Sequence, residues 1–144
     1  MKIQSLGHVV LKVSNQARAE AFYNGILGLQ IVARMQGRAM TFFSLGNHHD
    51  FAIAAIGDDA PEADKSAVGL AHVAFKIGDD LETLKEAQSH LKAAGVATRA
   101  MDHGVSQSLY FADPDGNGVE VYVDGSDIWK REPQAVANSQ AMVL

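Results

Sequence analysis

Residues 6–13 read Leu-Gly-His-Val-Val-Leu-Lys-Val, and residues 70–77 read Leu-Ala-His-Val-Ala-Phe-Lys-Ile. The same eight-position pattern returns sixty-four residues later. Both copies alternate apolar side chains with others and are rich in β-branched residues, so both predict strands. A helix pattern follows each. The first starts near Ser14 or Asn15, either of which suits an N-cap, and runs to Gly28. The second starts near Asp79 or Asp80, sets Leu81, Leu84, Gln88 and Leu91 on one face, and stops at Gly95. Short strand patterns then occupy 29–35, 39–45 and 50–56 in the first copy. The second copy continues with 96–100 and a hairpin in which Leu109 and Phe111 face a run of Val119, Val121 and Val123. The dense turn signal Asp113-Pro114-Asp115-Gly116-Asn117-Gly118 joins those two runs.

The expected fold class is therefore α+β, with two tandem βαβββ modules at 1–56 and 70–124 forming a single domain over 1–124. One such module covers only one face of its sheet. Two modules with curled mixed sheets would enclose a cleft, which is the expected metal-binding cleft. The acidic, Pro-containing segment 57–69 reads as a linker. The tail 125–144 carries Ile128 and Trp129, and suits either a short packed helix or a contact with a partner subunit. A homo-oligomer is the corresponding expectation.

Composition limits the function classes. The net charge of -5 argues against a broad nucleic-acid or anionic-membrane surface. With no cysteine there are no disulfides, thiolate ligands or Cys nucleophiles. No apolar run approaches membrane-spanning length, and the N-terminal run is too short for a signal peptide. A cytoplasmic protein without nucleic-acid or membrane partners is expected.

Glu120 stands in mid-strand between Val119 and Val121. A carboxylate is costly to bury there unless it is paired or coordinated, and the ordinary alternative is that it faces solvent. Within the second module the first and last strands can be neighbours, which would bring Glu120 beside His72. His8 and His72 hold matching positions in the repeat. They are either inherited residues of a duplicated strand or, with Glu120, a two-His, one-carboxylate metal set that leaves coordination positions open.

These residues resemble the vicinal oxygen chelate superfamily, which includes glyoxalase I, fosfomycin- and bleomycin-resistance proteins and extradiol ring-cleaving dioxygenases. The resemblance covers residues 1 to about 124. It implies that His8, His72 and Glu120 are the metal ligands. The segment His49-Asp50-Phe51-Ala52, the pair His103-Gly104, and Tyr110-Phe111 followed by Asp113-Pro114-Asp115-Gly116-Asn117 are similar to motifs of the extradiol catechol dioxygenase branch. The strand 51–56, Phe-Ala-Ile-Ala-Ala-Ile, carries no carboxylate of the kind many glyoxalases place there. The resemblance thus implies Fe(II), with Mn(II), Ni(II) or Zn(II) as other metals, and a small aromatic diol and O2 as substrates. The ring would open beside a hydroxyl, through a seven-membered lactone, to a yellow hydroxy-acid aldehyde or ketone. His49 would be the acid/base, and His103 and Tyr110 would bind substrate or oxygen atoms. His48 adjoins His49, and strand alternation would let only one of the two face inward. Phe22, Phe43, Phe51 and Trp129 are candidate apolar walls. A metal-dependent lyase or isomerase, a thiol transferase on the same scaffold, and a non-enzymatic drug-binding protein are the alternatives.

Overall fold

The computed structural model describes residues 1–144. The first copy of the repeat contains β1 (Val9–Val13), α1 (Gln16–Glu20), β2 (Gln30–Arg34), β3 (Met40–Ser44) and β4 (Phe51–Ala55). The second contains β5 (Val73–Gly78), α2 (Leu81–Ala93), β6 (Arg99–Asp102), β7 (Ser106–Ala112) and β8 (Gly118–Asp124). Two 3-10 turns, Ile128–Lys130 and Pro133–Ala137, and a short β9 (Gln140–Ala141) complete the chain. Both βαβββ modules are thus present. The second strand of the second module starts at Arg99 rather than Val96 and ends at Asp102, because its pairing partner is the stretch from Gln107 to Tyr110.

The chain divides into two compact units. One comprises Met1–Asp64 with Asp113–Gly116, and the other Lys65–Ala112 with Asn117–Leu144. The boundary at Asp64 falls inside the expected linker.

In the first unit the sheet order is β1-β4-β3-β2, with β1 parallel to β4 and the remaining pairs antiparallel. Alternation puts Leu11 and Val13 in the core and leaves Val10 and Lys12 outside. Asn15 is the N-cap of α1, its side chain accepting from the Arg18 N–H at 2.9 Å. Beyond Glu20 the helix widens to π geometry over Ala21–Ile26, where the Leu27 N–H reaches back to the Phe22 carbonyl at 3.0 Å. Consecutive Phe22 and Tyr23 are both buried there and stack edge to face. Phe43 and Phe51 join them, so these aromatics are core residues and not the substrate walls expected from sequence.

The turn Asp113–Gly116 packs into this unit through buried polar bonds. Asp113 Oδ1 accepts from the Asp115 N–H at 2.9 Å, and the Gly116 N–H donates to the Asp113 carbonyl at 3.0 Å. Gly116 sits at φ 82, a left-handed conformation that favours glycine. Asp113 Oδ2 accepts from the buried Tyr23 hydroxyl at 2.9 Å. Asp115 accepts from the Ser14 N–H at 3.0 Å and from the Arg18 guanidinium at 2.6 Å.

In the second unit the order is β5-β8-β7-β6-β9, again with one parallel pair, β5 with β8. Val119, Val121, Val123, Leu109, Phe111 and Phe75 form its buried apolar side, and Leu84 and Leu91 of α2 are fully buried with them. Asp80 caps α2 through the Thr83 N–H at 2.9 Å. No helix is long and apolar enough to cross a membrane.

Burial alone would raise the Asp115 carboxyl, but the Ser14 and Arg18 donors outweigh it and hold the group below its ordinary value. The folded-state value is the depressed one, so this contribution is complete above pH about 4 and is lost as pH falls further. Asp115→Ala should lower unfolding stability by roughly 1.5–3 kcal/mol near neutral pH. Urea titrations at pH 7 and pH 3 check this; the difference between the two proteins should shrink at the lower pH.

Candidate metal and substrate site

Period-2 alternation determines what stands on the open side of the second sheet. Because the odd-numbered residues of β8 are buried against α2's side, Glu120 and Tyr122 project from the other face. Tyr110 lies directly opposite Glu120 across β7–β8, and Arg99 lies opposite Tyr110 across β6–β7. Ala74 lies beside Glu120 in the parallel β5–β8 pair. His72, two residues before Ala74 and one ahead of the strand, therefore emerges on the same face. Its Nε2 is 3.0 Å from Glu120 Oε2. Glu120 is only 7% exposed. It does not face solvent, and the partner it finds is an imidazole.

Gly118 determines how closely β8 can approach the entry to β5. A Cβ at this position would overlap the Ala71 carbonyl oxygen and lie 3.1 Å from the His72 Cβ. Glycine is required by this close approach, and the approach is what sets His72 against Glu120.

Tyr110 and His103 complete the group. The Tyr110 hydroxyl is 2.9 Å from His103 Nε2, and its ring meets His72 edge to face at 5.3 Å between centroids. Burial first, and then the nearby Glu120 carboxylate, push the phenol up to about 12, so it stays protonated at neutral pH. His72, His103 and Tyr110 line a cavity of about 420 Å³ together with Arg99, Met101 and Ser139. The last three were not anticipated from sequence. Arg99, whose guanidinium lies 5.1 Å from the Tyr110 ring centroid, would have been found by its register opposite Tyr110 had the start of β6 been placed correctly. Trp129 is half-exposed on its 3-10 turn and does not line this cavity.

His8 and His49 belong to the first unit. His8 stands one residue ahead of β1, as His72 does before β5, and its ring centroid lies 4.2 Å from that of His49. His49 also meets Phe42 edge to face at 5.3 Å. His48 and His49 both sit in the loop between β3 and β4, not in a strand. Alternation does not separate them. Their Nδ1 atoms are 2.7 Å apart, so one ring donates to the other. Partial burial, then the neighbouring His8 and His48, hold the His49 ring below the ordinary imidazole range against a weaker opposing pull from Asp50. The neutral form of His49 is thereby favoured.

No group of three or more His, Asp or Glu side chains is gathered as a metal site in the structure. The donor types nonetheless fit a divalent cation. Imidazole and carboxylate are the ligand types of such ions. Two ligand atoms about 2.1 Å from one ion at a right angle stand about 3 Å apart, close to the separation of the His72 and Glu120 atoms.

Residues 5–121 match the model of the Glyoxalase/Bleomycin resistance protein/Dioxygenase superfamily. The chain belongs to that superfamily. It is 35% identical over 122 residues to Biphenyl-2,3-diol 1,2-dioxygenase 3 of Rhodococcus globerulus, a match covering 83% of this chain and 63% of that one. The chain thus spans less than two thirds of that relative's length. It is 26% identical over 137 residues to Metallothiol transferase FosB of Lysinibacillus sphaericus (strain C3-41), covering 92% of this chain and 94% of the relative. Among solved structures, the glyoxylase/bleomycin resistance protein/dioxygenase domain from Frankia sp. EAN1pec superposes with a TM-score of 0.72 at 19% identity, over 86% of this chain and all of that one. That likeness establishes the fold.

Gly118→Ala should push His72 away from Glu120 and destabilise the protein by roughly 1–3 kcal/mol, the usual range for overpacking. Chemical denaturation reads the stability. A ring-nitrogen NMR spectrum reads the His72–Glu120 hydrogen bond, which should weaken in the variant.

Proposed function

We propose that this chain is a metal-dependent, extradiol-type dioxygenase that cleaves a catechol-like ring with O2. One observation carries the reading. A buried carboxylate, an imidazole, a protonated phenol and a second imidazole stand together on the open face of one sheet, beside a cavity of about 420 Å³ with room for a small aromatic molecule. The similarity to a biphenyl-diol dioxygenase supports it.

In this reading His8, His72 and Glu120 hold the metal, with Fe(II) the first choice and Mn(II), Ni(II) or Zn(II) the others. A metal held there would supply Lewis acidity for two adjacent catechol oxygens and electrons for O2. Proton transfer falls to this chain's residues. His49, its neutral form favoured, takes the proton from a catechol hydroxyl on its ring nitrogen and returns it to the product oxygen. Tyr110, kept protonated, and His103 bind the substrate or dioxygen atoms on the cavity side. Arg99 adds positive charge at the rim. Both atoms of O2 enter the opened ring, so no outside reductant is consumed. A cytoplasmic place in aromatic catabolism would suit this chemistry.

A second reading rests on length. The chain matches nearly the whole of a metallothiol transferase, and that chemistry needs a metal on the same scaffold without O2. Anaerobic reconstitution with Fe(II), then exposure to catechols in an oxygen electrode, separates the two. O2 uptake with a yellow product is expected. No uptake on any catechol, with thiol consumption in its place, would favour the transferase.

Glu120→Gln should lower bound metal at least tenfold while far-UV circular dichroism stays unchanged. Unaltered stoichiometry by elemental analysis would remove Glu120 from the ligand set.

His49→Phe should retain metal and catechol binding but lose about 10²–10⁴-fold in kcat, the usual range for a positioned acid/base. His48→Phe should also slow turnover, by less, since it removes the hydrogen-bond partner of His49. Steady-state kinetics on both variants decide the order.

A further inference from the structure

We propose that the C-terminal segment Asn138–Ala141 is a positioning strap that holds His103 in its Nδ1–H tautomer, and so presents a bare Nε2 to Tyr110 inside the cavity. The proposal builds on the site above, but it is carried by contacts of its own.

β6 would otherwise be the exposed edge of the sheet, with unpaired N–H and C=O groups. β9 covers it in antiparallel register, Gln140 against Asp102 and Ala141 against Met101. The Met142 N–H extends the ladder to the Ala100 carbonyl at 3.3 Å. Asp102 anchors the strap through a side-chain bond from Gln140 Nε2 at 3.3 Å. The Gly104 N–H first, and then the Gln107 amide, hold the Asp102 carboxyl below its ordinary range, so the anchor is an anion at neutral pH. Just before β9 the 3-10 turn ends at Asn138, whose backbone is extended. Its carbonyl lies 3.0 Å from His103 Nδ1. Ser139, the next residue, lines the cavity.

A carbonyl oxygen can only accept. The Nδ1 atom facing it must therefore carry hydrogen. In the neutral ring Nε2 is then bare and can only accept. The phenol's one hydrogen is thereby offered a second acceptor, Nε2 at 2.9 Å, beside the Glu120 carboxylate to which Tyr110 also bonds. Without the strap, the ring would be free to adopt the Nε2–H form and donate to the phenol oxygen. Asn138 is thus a positioning residue through its main chain, which hides it from any reading of side-chain types.

The test is NMR of ring nitrogens in the full-length, metal-free chain at pH about 8, above the ordinary imidazole range. His103→Gln assigns the His103 signals by their disappearance. The expected pattern is a protonated Nδ1 and a bare Nε2. In the full-length double variant Gln140→Glu/Met142→Pro a second carboxylate faces Asp102, and the N–H that donates to Ala100 is gone. The pattern should then invert. Val143→Ala, beyond the last bond of the strap, should leave it unchanged. A bare Nδ1 in the unaltered chain would overturn the proposal, whatever the variants do. So would an unchanged pattern in the double variant. The readout needs neither metal nor catechol, so its failure is distinguishable from failure of the ring-cleavage reading.

Discussion

The burial of Glu120 is the constraint on which the second unit depends. A carboxylate at 7% exposure in the middle of a sheet is tolerable only with charge-assisted partners. The parallel β5–β8 pair delivers His72 to it, and the antiparallel β7–β8 pair sets Tyr110 directly opposite. Both pairings require that β8 lie between β5 and β7. Both also require a glycine at position 118, where no side chain fits against Ala71. The arrangement that makes the carboxylate tolerable is also the one that makes it useful, because an imidazole and a phenol now surround it on a face open to a cavity.

The two copies of the repeat have diverged in how they use the same fold. Each places a histidine one residue ahead of its first strand. In the second copy the partner of that histidine is the mid-strand carboxylate. In the first copy the corresponding strand, β4, is apolar, and the partner is a loop imidazole, His49, reached through ring contact. Partial burial and the flanking imidazoles hold the His49 ring below its ordinary range, whereas His72 Nε2 stands 3.0 Å from a carboxylate oxygen. One scaffold therefore carries a cluster of imidazoles in one unit and an imidazole–carboxylate pair in the other.

Structural polarity is handled separately from this chemistry. Asp113 and Asp115 lie in the turn between β7 and β8, seven and five residues before Glu120. Their bonds to Tyr23, Ser14 and Arg18 place them in the first unit. Three carboxylates close in sequence thus have different duties, and only Glu120 faces the cavity group.

The sequence by itself determined the duplication and the βαβββ order of each copy, and it narrowed the caps to Ser14 or Asn15 and to Asp79 or Asp80, of which the structure uses Asn15 and Asp80. These follow from local periodicity and from side chains that bond to backbone a few residues away. It also pointed to His72 and Glu120 as partners, because a strand's alternation and a module's first-to-last pairing suffice to predict which residues share a face. Only the tertiary structure decided the rest. The loop that holds both His48 and His49 replaced the expected strand alternation, since no ladder forms until Phe51. Phe22 went to the core because a π-helical turn directs it and Tyr23 inward together, and Phe43 and Phe51 because β3 and β4 set them against that Tyr23 ring. Arg99 and Met101 reached the cavity through the register of β6, which its own residues do not specify. The contact between Asn138 and His103 was invisible in the chain, because it joins a backbone carbonyl to a ring thirty-five residues away. Long-range registry and main-chain acceptors leave no mark in residue type, and that is why they had to be seen in three dimensions.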